Sequence, residues 1–124
     1  MNLQSTIIPD TEDQIVINSI FSSIDKPVIT KDFKGGKISN MFASAELDLS
    51  NADLSGTAIL TISQLFGELT LTVPTDWHVE TDVSQFFAII EDYRENKYNA
   101  KNSDKVLLIK GSSVFANIEI HNNV

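Results

Sequence analysis

The chain has 124 residues, 42% hydrophobic and 21% charged, and contains no cysteine. That length suits one ordinary domain able to bury a core unaided, and the missing thiols exclude disulfide frameworks, thiolate zinc sites, iron–sulfur clusters and cysteine nucleophiles. Seventeen Asp and Glu against nine Lys and Arg leave a formal charge of −8, which argues against a nucleic-acid partner.

The first ten residues, Met1 to Asp10, hold no basic group and no sustained apolar run, so no secretory signal is expected there. The longest apolar run, Phe86-Phe87-Ala88-Ile89-Ile90, falls far short of the roughly 18–20 residues that span a bilayer. A cytoplasmic location without direct membrane insertion is therefore expected. Helical periodicity is weak throughout. Alternation dominates instead, at Leu47/Leu49, Ile59/Thr61, Leu69/Leu71/Val73 and Ile118/Ile120, with frequent Gly, Asn and Asp breaks. The chain reads as all-β.

Charge is segregated along it. Lys26, Lys31, Lys34 and Lys37 precede a stretch from Ile38 to Asp92 with nine acidic residues and no Lys or Arg; Arg94, Lys97, Lys101, Lys105 and Lys110 follow. This predicts a solvated acidic face, or a surface that docks a basic partner. Gly35-Gly36-Lys37 reads as a turn. It is not a phosphate loop, since the upstream glycine is missing and Ile38 stands where Ser or Thr would hold magnesium. Asp48, Ser50, Asn51 and Asp53 lack the EF-hand pattern and read as side-chain caps of a turn.

Trp77 reads as a packing residue after a strand. The only two histidines, His78 and His121, have no i+3 or i+4 partner that would make a metal pair. No Gly-x-Ser-x-Gly elbow occurs, and Glu91/Asp92 with His78 are the only acid/base residues to weigh for an enzyme. No catalytic activity, cofactor or metal is expected. Residues 91–105 form the most polar segment and read as a long loop; Tyr93 and Tyr98 within it suggest a contact surface, and Glu91, Asp92 and Arg94 form its charged root.

Self-similarity is the strongest signal. Five segments share an apolar residue (Gly111 in the fifth), three variable positions, Phe, a small residue, one variable position and an apolar residue. They centre on Phe21, Phe42, Phe66, Phe87 and Phe115, at spacings of 21, 24, 21 and 28 residues, and the small residues are Ser22, Ala43, Gly67, Ala88 and Ala116. Repeats of this length are supersecondary units that bury their apolar faces by stacking on the next. The prediction is a single β-solenoid-like domain over 1–124. Small residues would line tight corners, and the Phe rings would form an internal ladder, each burying about 150–200 Å2.

Three stretches together resemble one family. Phe33-Lys34-Gly35-Gly36-Lys37-Ile38-Ser39-Asn40-Met41-Phe42 through Glu46-Leu47-Asp48-Leu49 to Ala52-Asp53-Leu54 is similar to a motif of the C-terminal domain of LiaF-type cell-wall-active antibiotics response proteins. Phe66-Gly67-Glu68-Leu69 leading to Val73-Pro74-Thr75-Asp76-Trp77-His78-Val79 resembles that family's Val-Pro-x-x-Trp-x-Val signature. Phe87 to Arg94, then Leu108 to Gly111 and Phe115 to Ile120, resemble its last two turns. The resemblance implies a non-enzymatic regulator of a two-component system that senses cell-envelope stress, with a sensor histidine kinase as protein partner, in a family whose members usually carry a membrane anchor. Exposed coil ends imply a homo-oligomer. The alternative is a structural, self-assembling solenoid similar in architecture to the bactofilin-type scaffolds.

Overall fold

Inside–outside alternation over four- to nine-residue runs produces strands, and a Phe corner follows the first strand of each repeat. The computed structural model describes residues 13–94 and 103–122. Each repeat is one coil of two strands: β1 (Gln14–Ile20) with β2 (Ser23–Pro27), β3 (Gly35–Met41) with β4 (Ser44–Asp48), and β5 (Thr57–Leu65) with β6 (Glu68–Val73). The last two coils are β7 (His78–Phe86) with β8 (Ile89–Asp92), and β9 (Val106–Val114) with β10 (Asn117–Asn122). First strands form one parallel sheet, β1-β3-β5-β9-β7, and second strands another, β2-β4-β6-β10-β8. The fold is thus all-β and solenoid-like, as expected, and it is not a closed barrel.

The coils do not stack in chain order. The fifth lies between the third and the fourth, with β9 paired to both β5 and β7 and β10 paired to both β6 and β8. Simple next-on-next stacking is therefore corrected. The four residues Pro74–Trp77 between β6 and β7 reach past one layer, about 10 Å at the usual strand spacing. The chain then returns through residues 93–105 to fill the gap, which accounts for the long final repeat spacing.

The core lies between the sheets and along the connections. Ile17, Ile38 and Ile62 align in register, as do Ala45, Leu69 and Ile118, and all are buried. In β5 the inward row is Ala58, Leu60 and Ile62, so the expected Ile59/Thr61 face is the outer one. Gly35 and Gly36 open β3 rather than make a turn. Their φ values are +109° and +147°, and a Cβ would stand 1.8 Å from the Ile59 carbonyl oxygen or 2.0 Å from that of Ile15.

The Phe ladder forms, but on the outside. Neighbouring rings stack at 5.0–5.2 Å in the order Phe21, Phe42, Phe66, Phe115, Phe87. The middle three rings are 44–45% exposed and the two terminal ones, Phe21 and Phe87, 76% and 74%. The internal ladder is thereby corrected. All five phenylalanines have left-handed backbones, φ 49–51°, and this turn directs the side chain outward at the corner. A left-handed non-glycine residue costs about 1–2 kcal/mol, and each stacked pair returns about 0.5–1.5 kcal/mol. The small following residue serves the inside of the corner, where Ala43 and Ala116 are buried.

Candidate functional site

The charged root of the polar segment splits into a buried half and an exposed half. Asp92 ends β8 on the inward side of an edge strand, and the chain turns so that Arg94 is buried against it. The Arg94 guanidinium donates from Nε to Asp92 Oδ1 at 3.1 Å and from Nη2 to Asp92 Oδ2 at 3.2 Å. Its Nη1 donates to the Trp77 carbonyl at 2.7 Å, and its backbone N–H to Asp92 Oδ1 at 3.1 Å. Arg94 therefore clamps the exit of β8 to the β6–β7 connection. The pair is structural in this fold, with the Arg94 side chain 3% exposed and that of Asp92 26% exposed.

Glu91 and Tyr93 point the other way, into solvent. The Tyr93 hydroxyl donates to Glu91 Oε2, and its ring stacks on His121 at 5.1 Å. The hydrogen bond to Glu91, with some desolvation and the charges of Glu91 and Glu119, raises the phenol pKa. His121 in turn meets Glu119 Oε1 at 3.1 Å, as His78 meets Glu80 Oε1 at 3.0 Å. Both histidines thus sit within hydrogen-bond distance of a carboxylate two residues away, and no group of three metal-ligating side chains occurs among the described residues. Tyr98 lies outside the described residues.

Register extends this exposed half across the second sheet. On its outer face Asp25, Glu46, Thr70, Glu119 and Glu91 occupy one row, each a strand spacing from the next. Like charges directly adjacent on a sheet cost stability. The acidic stretch of the sequence is otherwise dispersed: Glu80 and Asp82 lie on β7, and Asp53 and Asp76 both pair with Lys105 Nζ, at 2.8 and 3.4 Å. Asp25 and Glu119, from outside that stretch, complete the row. Asp48 caps Ser50 and Asp53 caps Leu54 through backbone N–H groups at 2.9 and 2.8 Å, as the turn reading predicted.

The other notable surface is the Phe edge. A shallow groove beside it is lined by Phe21, Ser23, Phe42, Ser44, Phe66 and Glu68. One carboxylate is its only ionisable group, so the groove assembles no acid/base pair. The rings present their edges to solvent because their faces cover each other, which leaves platforms only at Phe21 and Phe87.

Sequence reasoning missed the polar ladder behind this edge. Ser19, Asn40, Gln64 and Ser113 are buried and in register. Asn40 Nδ2 donates to the carbonyls of Ala43 and Glu68, each at 3.0 Å, and Gln64 Nε2 to that of Asn117 at 2.9 Å. The Asn40 and Gln64 amides thus tie corner carbonyls of the second sheet to the first. A signal was present: the residue two before each repeat Phe is Ser, Asn, Gln, Gln or Ser.

No curated protein and no solved structure shows significant similarity to the chain. The family model described as cell wall-active antibiotics response LiaF, C-terminal, matches residues 30–122, which takes in every coil except the first. With the repeated corners and the Val73-Pro74 to Trp77 connection placed as described, this chain belongs to the LiaF-like C-terminal domain family.

Proposed function

We propose that the chain is a non-enzymatic regulatory domain that docks a protein partner in the cell-envelope stress response, the partner being a sensor histidine kinase. Family membership supports the stress-response role. The observation that carries the docking surface is the in-register row of Asp25, Glu46, Glu119 and Glu91 on the outer face of the second sheet. Packing does not require four carboxylates in such a row, and a basic partner surface would relieve their mutual repulsion. Tyr93, held by Glu91 and stacked on His121, adds an amphipathic contact at one end of that row.

The test is an autophosphorylation assay of the sensor kinase from the same cell, with and without the purified chain. The chain is expected to lower the phosphorylation rate in a saturable, salt-sensitive manner. The double variant Glu46→Lys/Glu119→Lys is expected to need at least about tenfold more protein for the same effect. A kinase whose rate ignores the chain at every concentration overturns the proposal. Equal potency of the double variant removes the acidic face from it.

A further inference from the structure

The two ends of the stack are complementary to each other. Across the corners, each Phe N–H donates to the residue before the Phe of the adjoining coil: Phe21 to Met41, Phe42 to Leu65, Phe66 to Val114, and Phe115 to Phe86. A second series runs the opposite way, from Ser44 N to Ser22 O, Glu68 N to Ala43 O, Asn117 N to Gly67 O, and Ile89 N to Ala116 O. Continued by one coil, these series end at Phe87 N–H and Ala88 C=O on the β7/β8 end, and at Ile20 C=O and Ser23 N–H on the β1/β2 end. A donor at one end meets an acceptor at the other.

Side chains continue in the same register. Extending the sheets from β7 and β8 onto β1 and β2 of a second copy places Ile17 beside Val83, Ile20 beside Phe86, Ile24 beside Ile90 and Lys26 beside Asp92. Phe21 comes to lie on Phe87. These are the two rings whose exposure, 76% and 74%, exceeds the 44–45% of rings covered on both faces. Lys26 and Asp92 occupy inward positions on opposite edge strands, where a charge bars an unrelated strand. The one like-charge contact, Asp25 with Glu91, repeats what the fold already tolerates between Asp25 and Glu46.

We propose that copies of this chain associate head to tail, β1/β2 of one on β7/β8 of the next, extending both parallel sheets and the Phe ladder. This goes beyond the regulatory reading and does not depend on it. Such a heterologous contact is open-ended.

Sedimentation velocity on the intact chain, from about 10 μM to about 1 mM, tests it. The weight-average mass is expected to rise without a plateau at the dimer. Phe87→Asp blocks one end, and Asp accepts a left-handed backbone. Val16→Asp, at a position 65% exposed, blocks the other by facing Asp82 of the next copy. Each variant alone is expected to be a monomer, and their mixture a 1:1 dimer that grows no further. Val16→Lys, facing the same Asp82, is expected to tighten association about two- to fivefold. A strict monomer at every concentration overturns the proposal, as does a wild-type dimer that either single-end variant still forms by itself. Far-UV circular dichroism confirms that each variant folds; Phe21→Asn replaces Val16→Asp, and Phe87→Asn replaces Phe87→Asp, should either fail to fold.

Discussion

Two sets of aromatic rings in this molecule behave in opposite ways. Phe33 and Trp77 occur once each, stack at a centroid distance of 6.2 Å, and are fully buried between the coil connections. The five repeat phenylalanines stack more closely, at 5.0–5.2 Å, yet stand on the surface. Recurrence in the sequence therefore marks the corner. Burial falls to residues that recur nowhere, because the inner connections differ from coil to coil and each leaves a differently shaped space. The inner pair is joined to the rest by polar contacts at its rim: Phe33 N–H donates to the Asp53 carbonyl, Arg94 holds the Trp77 carbonyl, and Lys105 ties Asp53 to Asp76.

The sharpest way to break this contrast is Trp77→Ala, which empties a fully buried site beside Phe33. Urea unfolding should show a loss of about 3–5 kcal/mol. Phe66→Asn probes the outer set at mid-ladder. It removes two stacking contacts while giving the left-handed corner a residue that prefers it, so the two effects offset, and the expected change is about 1 kcal/mol or less. A cost for Phe66→Asn equal to that of Trp77→Ala would erase the distinction between the sets.

The smallest effect concerns the rim. The hydrogen bond from Lys105, then that from the Leu54 N–H, lowers the pKa of Asp53 below its ordinary 3.8. A depressed carboxylate contributes stability that is present above its unfolded pKa and lost as pH falls through the folded one. Lys105, raised above 10.5 chiefly by its hydrogen bond to Asp53, contributes below its unfolded pKa and loses that contribution as pH rises through the folded one. Asp53→Asn is accordingly expected to flatten slightly the acid limb of a thermal-melt profile below about pH 4, leaving the neutral melting temperature nearly unchanged. An unaltered acid limb would remove Asp53 from the rim.

Period-two alternation and the Phe–small recurrence, by themselves, determined an all-β stack of coils and the positions of its corners, because strand pleat and corner geometry are local and recur in every repeat; the family was legible in three motif stretches. The same locality holds for the caps at Asp48 and Asp53. Which side of the corner each ring takes depended on a backbone angle that no composition reveals. The fifth coil's place between the third and fourth depended on how far four residues reach across a layer. The acidic row likewise assembles from Asp25, Glu46, Glu119 and Glu91, residues far apart in the chain that only parallel register brings together. Neighbours across sheets are set by long-range pairing, and only the tertiary structure decides them.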